Sequence, residues 1–365
     1  MRVVHLTSVH ARSDTRIRKE CRDLAAAGHT VSLIVADGLG DADDGELEII
    51  DVGRAANRFV RMVRSTIRVG RRGRRLNADV YHFHDPELLP VGVALARTGA
   101  SVVYDCHEDV SRQVLTKPYL GRTVARLVSR GVNLVERWAV ARIAAVVAAT
   151  PSIAQGFDGV APVVVEVNNF PIIDELAPRD DSEIERNALV FVGKLSEIRG
   201  IAEVIEALPL TTTPVGLTLV GDFADPEFAE RCRALDGFDR VTEMGVLDRP
   251  AVRRVLQGAV AGLVTFHPSP NHVDAQPNKL FEYMAAGVPV IASDFPYWRS
   301  LVGEAGVFVD PQDPRSIAAA IDEIVGDPER AAVMGRAGAR AVADRFDWAS
   351  ASAALCAMYD TLGAD

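Results

Sequence analysis

Short Val/Ile-rich runs alternate with amphipathic stretches along the whole chain. RVVHLTS from Arg2, TVSLIVAD from Thr30, LEIIDVG from Leu47, DVYHFHD from Asp79, SVVYDCHED from Ser101, AAVVAAT from Ala144 and VVVEVNN from Val163 form a first series. ALVFVGK from Ala188, VGLTLVGD from Val215, VTEMGVL from Val241, AGLVTFH from Ala261, GVPVIASD from Gly287 and GVFVD from Gly306 form a second. Runs this short and this apolar are the pattern of strands buried on both faces of parallel sheets, with helices as the crossovers. The alternation therefore predicts an α/β architecture twice over.

Between the two series lies FPIIDELAPRDDSEIERN, with two prolines, an acidic cluster and no clear period, which reads as a linker. The expected organisation is a first Rossmann-like domain over 1–170, a linker over 171–187 and a second Rossmann-like domain over 188–345. The last segment, 346–365, contains FDWASASAALCAMYDTL and is expected to be a helix that crosses back to the first domain. Two doubly wound sheets facing across a cleft would gather strand C-termini and helix N-termini around a shared ligand.

Composition narrows the classes. A chain of 365 residues with 48% apolar and 25% charged residues suits two folded domains rather than one core or a disordered chain. The net charge of −10 is uneven: residues 1–170 carry 23 Lys/Arg against 19 Asp/Glu, and the remainder 17 against 31. An acidic whole argues against nonspecific nucleic-acid binding, which needs many phosphate contacts. The apolar run at the N-terminus is too short for a signal peptide, and no stretch approaches the roughly 20 apolar residues of a membrane span, so a cytoplasmic protein is expected. Four scattered cysteines with no CxxC pair suggest neither a disulfide framework nor a zinc site.

The densest candidate chemistry lies in QPNKLFEYMAAGVPVIASDFPYW, from Gln276. Pro277 suits the first helical position, Leu280, Phe281, Met284 and Ala285 give an apolar face, and Gly287 with Pro289 ends a helix of about three turns. A helix N-terminus favours phosphate. Glu282, one turn inside, has two readings from spacing alone. It accepts the paired hydroxyls of a ribose, or it forms a salt bridge with Lys279 on the same face.

This stretch, with Asp274 eight residues before Glu282, resembles the donor-site signature of glycosyltransferase family 4, enzymes of the two-domain GT-B fold. That family has two glutamates separated by seven residues; here the first is an aspartate. The resemblance implies that Glu282 holds the nucleotide ribose, that Asp274 meets the donor sugar's hydroxyls, and that the backbone at Asn278, Lys279 and Leu280 faces the phosphates. VGKLSEIRGI from Val192 is similar to the family's GRLxxxKG pattern, with the two cations exchanged in identity. It implies that Gly193, at the strand end, belongs to the donor-binding residues and that Lys194 and Arg199 stabilise the departing diphosphate. VVYDCHEDV places His107 where the family has an active-site histidine, beside Glu108 and Asp109. In the first loop, where the family has a glycine pair, stand Asp14, Thr15 and Arg16, and Arg16 is expected to compensate as a phosphate or acceptor contact.

Membership implies a retaining sugar transfer from a nucleoside diphosphate to an acceptor hydroxyl, with no metal and no cofactor beyond the donor. His82 and His84 share a strand face and, with His107 and Glu108, form the competing metal-ligand reading. Two other functions fit the same architecture: a non-hydrolysing sugar-nucleotide epimerase, and a sugar-nucleotide-binding protein without catalysis. A dehydrogenase does not fit, because neither half opens with GxGxxG. Finally, RAANRFVRMVRSTIRVGRRGRR from Arg54 holds nine arginines in 22 residues, with Phe59, Val60, Val63 and Ile67 as apolar partners. It reads either as a surface helix or as a peripheral contact with anionic lipid.

Overall fold

The structure, a computed structural model, describes all residues except 58–59, 108–109, 116–120, 178–185 and 364–365, and it leaves the side chains of Arg112 and Arg122 undescribed. It divides into two units, Met1–Asn169 with Ala349–Asp365, and Phe170–Trp348.

In the first unit an eight-stranded sheet runs β3-β4-β2-β1-β5-β6-β7-β8. The strands are β1 (Arg2–Leu6), β2 (Thr30–Val35), β3 (Ala42–Asp43), β4 (Glu48–Asp51), β5 (Val80–Phe83), β6 (Ser101–Cys106), β7 (Ala145–Ala148) and β8 (Val164–Glu166). All pairings are parallel except the short β3–β4 edge. The apolar runs became strands because both faces are covered. Right-handed crossovers place the Thr66–Leu76, Leu89–Ala96 and Arg122–Val140 helices on one face and the Thr15–Ala26 helix on the other. The first three pack side by side in that order. The core between sheet and helices holds Leu6, Phe83, Tyr104 and Val146, each fully buried side chain worth about 1.5–3 kcal/mol relative to exposure. The last helix, Trp348–Leu362, belongs to this unit from Ala349 onward and buries Leu355 and Tyr359.

The second unit is an all-parallel six-stranded sheet, β11-β10-β9-β12-β13-β14. Its strands are β9 (Ala188–Val192), β10 (Gly216–Val220), β11 (Val241–Glu243), β12 (Ala259–Val264), β13 (Val290–Ser293) and β14 (Gly306–Val309). The segment expected as a linker is, where described, built into this unit. Phe170 packs its ring 5.0 Å from Phe281 and 5.4 Å from Phe346, and Ile173–Leu176 is a short helix. The remainder of that segment lies outside the described residues.

In each sheet the strand order reverses at one point, between β2 and β5 around β1, and between β10 and β12 around β9. Crevices beyond the carboxyl ends of such strands are where open α/β sheets take ligands.

Candidate active site

β9 is followed by Gly193, whose φ is +126°, and β10 by Gly221, at +129°. A Cβ on Gly221 would lie 2.2 Å from the Gly193 carbonyl oxygen, so the two strand ends meet backbone to backbone. A Cβ on Gly193 would lie 2.7 Å from Lys279 Nζ and 3.8 Å from an Arg199 guanidinium nitrogen. The missing side chain is thus the space into which two cations converge, at the switch point of the sheet. A third glycine, Gly200, carries φ +72° and lies against the Thr265 carbonyl beyond β12, which lets the turn bearing Arg199 pack onto the neighbouring strand end.

Lys279 Nζ sits over the rings of Phe191 and Phe266, at 4.8 and 5.4 Å from their centroids. Burial, then the Arg199 charge, push its ammonium down to about 7, against a smaller opposing pull from Glu282. Burial likewise lowers Arg199, which donates to the Lys194 carbonyl at 2.8 Å. Among the described residues neither cation is in an ion pair within 4.0 Å. Two like charges held this close favour an anion between them. Lys194, by contrast, extends into solvent, and its carbonyl is what the cluster uses.

The helix that carries Lys279 is Asn278–Ala285, about two turns rather than three, with Pro277 at its N-cap instead of its first turn. It ends in a Schellman arrangement: Gly287, at φ +66°, donates to Met284 and Val288 donates to Tyr283. Leu280 is fully buried and its N–H is bonded to the Pro277 carbonyl, while Asn278 is exposed. Glu282 is indeed paired, but not with Lys279. Its Oε1 accepts from Arg249 at 2.6 Å, and Arg249 also meets Glu175 at 3.3 Å. Lys279 turns the other way because the Gly193 space is open to it. Asp274 stands exposed in the turn before the helix, outside the set that meets at Gly193.

In the first unit His107 follows β6, and its Nε2 lies 3.1 Å from His10 Nε2. His10 Nδ1 is 3.1 Å from Asp14 and its Nε2 is 3.4 Å from Asp85. Burial opposes charge on His10, but the bond to Asp14 and the nearby carboxylates outweigh it and raise its pKa. Asp14 correspondingly falls to about 2 despite its burial. The buried Asp85 carboxylate accepts from the Val9 N–H at 3.2 Å and the Thr7 hydroxyl at 2.9 Å, and also bonds the Ser8 N–H. The loop after β1 therefore turns its donors onto a carboxylate of the chain itself.

Arg16 corrects an expectation. It is buried, its guanidinium grips both oxygens of Asp105 at 2.8 Å, donates to the Val167 carbonyl at 2.8 Å and reaches Glu20 at 3.1 Å. A solvent-facing phosphate contact needs a cation at the surface, and this one is the counter-ion of a buried cluster. Asp105, although burial alone would raise it, is held well below the ordinary carboxylate range by Arg16. Glu20 is pushed well above that range by burial and by Asp105. Behind them His84 Nδ1 donates to Asp105 at 2.9 Å, His5 Nδ1 meets His84 Nε2 at 2.9 Å, and His82 Nδ1 meets the Tyr359 hydroxyl at 2.9 Å.

Glu20, His82, His84 and Asp105 each bring a ligand atom within 4.8 Å of the others. This differs from the metal set of the sequence reading, of which Glu108 lies outside the described residues. Arg16 already supplies positive charge to both carboxylates, so the cluster is a neutralised core rather than an acidic cage. Sequence reasoning missed the Lys279 side chain, Gly221, Arg249, His10 and Asp85. Only Gly221 left a signal, as a second strand end reading Val-Gly-Asp.

Comparison with known proteins follows the same division. Residues 13–168 match the model of the glycosyl transferase 4-like domain, and residues 186–327 that of glycosyl transferases group 1. The glycogen synthase of Mycobacterium tuberculosis is 27% identical over 315 residues, covering 82% of this chain and 73% of that protein. The phosphatidyl-myo-inositol mannosyltransferase of Mycolicibacterium smegmatis is 27% identical over 305 residues, covering 78% and 71%. The sucrose-phosphate synthase structure from Thermosynechococcus elongatus superposes with a TM-score of 0.80 at 19% identity, covering 100% of this chain and 99% of that one, so the two share the GT-B fold. With both of its α/β units matched in this way, the chain belongs to the family 4-like glycosyltransferases and is a glycosyltransferase.

Proposed function

We propose that the second unit binds a nucleoside-diphosphate sugar and that the enzyme transfers the sugar to an acceptor hydroxyl with retention and without a metal ion. One observation carries this reading: Lys279 and Arg199 converge at the Gly193 turn with their charges uncompensated. A diphosphate is the anion whose size and charge suit two adjacent cations at a strand-switch crevice. As the bond from the anomeric carbon to the phosphate oxygen breaks, its electron pair stays on the diphosphate, and preorganised cations stabilise that charge. The acceptor oxygen bonds to the same face of the sugar, and its proton passes to the leaving phosphate. Losing one such cation costs on the order of 3 kcal/mol in the transition state.

Glu282, held by Arg249, supplies the acid for the ribose hydroxyls, and Asp274 serves the sugar. His107, beside His10, serves the acceptor. Cationic neutralisation replaces the role a divalent ion has in other transferases. Product analysis tests the whole reading. With EDTA present, an acceptor panel should yield a glycoside of the donor's own anomeric configuration by NMR. An inverted anomer would remove retention, and transfer lost on chelation and restored by magnesium would remove metal independence. Donor interconverted in the absence of acceptor would make the protein an epimerase.

A further inference from the structure

The Arg122–Val140 helix carries its apolar residues on the wrong side for a core helix. Ala125, Glu136, Ala139 and Val140 face inward and are buried. Val124, Leu127, Val128, Leu134, Val135 and Trp138 are exposed, Leu127 at 62% and Leu134 at 71%. Their spacing of three and four residues places them on one stripe. Eighteen large apolar side chains are exposed among the described residues, and six of them lie on this helix, so the stripe is a concentration and not the ordinary scatter of surface apolar groups.

The charges beside the stripe have one sign. Arg126, Arg130 and Arg137 are exposed and fall along one border of it at 100° per residue. The single acid of the helix, Glu136, points inward to the Tyr104 hydroxyl at 3.1 Å. Arg142 lies over the Trp138 ring at 4.5 Å, just beyond the helix end. The arginine-rich segment identified from the sequence forms the Arg61–Ser65 π-helical turn and the Thr66–Leu76 helix, and Met62, Val63 and Ile67 are exposed there. It lies on the same face of the sheet, one helix away.

We propose that this face of the first unit is a peripheral membrane surface. The Arg122–Val140 helix lies in the plane of an anionic bilayer with its stripe among the upper acyl chains and its arginines on the headgroups. The helix is 19 residues long, but no helix among the described residues is apolar enough to cross a membrane, so it lies on the bilayer rather than through it. Charge decides against the rival occupant. Two copies pairing through this stripe would bring like arginine rows together along its border, whereas anionic headgroups complement them. The surface is independent of the donor reading and stands or falls without it.

Vesicle sedimentation tests it, using 7:3 phosphatidylcholine:phosphatidylglycerol against pure phosphatidylcholine. The wild type should bind the anionic vesicles, weaken in high salt, and lose about tenfold or more in affinity in L127E/L134E. Both positions are exposed, so the variant should keep the wild-type melting temperature. Trp298 and Trp348 are buried, so the fluorescence response reports Trp138 and should shift to the blue with anionic vesicles. No binding, binding that ignores L127E/L134E, or a Trp138 signal unmoved by vesicles would overturn the proposal. So would a dimer in sedimentation velocity that L127E/L134E dissociates.

Discussion

Arg16 shows how far a residue's role depends on what the fold puts around it. Its position in the first loop invites a phosphate role, yet Asp105, eighty-nine residues away, claims one edge of its guanidinium with both carboxylate oxygens. Removing one partner of a buried pair leaves the other charged and unsolvated. Arg16→Ala should therefore cost about 3–5 kcal/mol in urea unfolding. A loss under about 1 kcal/mol, typical of exposed pairs, would contradict the buried-counter-ion account. Glu282 makes the same point from the other side. The acid was legible in the sequence, and so was its need for a partner. Which partner was not, because Lys279 at three residues' distance is the local choice and Arg249 comes from another helix. Spacing along a chain ranks neighbours, while the choice between them is made by cavities that other segments leave open.

At the scale of elements, strands were legible and ends were not. Each long apolar run became a strand, since burial on both faces leaves no other use for such a run. The two-residue β3 has no such pattern and went unread. The Asn278–Ala285 helix is about a turn shorter than expected, with Pro277 outside it as N-cap and the Gly287 turn closing it after Ala285. The stripe on Arg122–Val140 has helical period, but period alone does not say which face is wet. Glycines at strand ends matter more than their count suggests. In Gly193→Ala a Cβ would collide with Lys279 Nζ at a φ that disfavours any side chain. Nucleotide-sugar affinity should fall about tenfold or more, with a stability cost of about 1–3 kcal/mol. Gly156→Ala, where a Cβ meets nothing within 4 Å, serves as the control and should leave affinity unchanged. Equal affinity in Gly193→Ala and Gly156→Ala would show that the Gly193 turn does not shape the site.

For the whole molecule, the fold followed from the alternation of strand and helix, and the family from motifs concentrated in the second half. The charge asymmetry is harder to read from sequence, since the acidic second unit nonetheless brings two cations, Lys279 and Arg199, together at one strand switch. That gathering is the central claim, and proton linkage tests it. With its ammonium near 7, Lys279 is mostly neutral at pH 8 in the free enzyme. A diphosphate stabilises the charged form, so binding at pH 8 must take up a proton. The measurement is calorimetric binding of UDP, GDP, dTDP and ADP sugars at pH 8 with EDTA present, in two buffers of different ionisation enthalpy. It is run on the wild type, Lys279→Met and Glu282→Ala. The account predicts tight binding of one nucleotide, uptake approaching one proton that Lys279→Met abolishes, and weaker binding in Glu282→Ala. No binding to any of the four, or binding whose strength and proton uptake are the same in all three proteins, would contradict it.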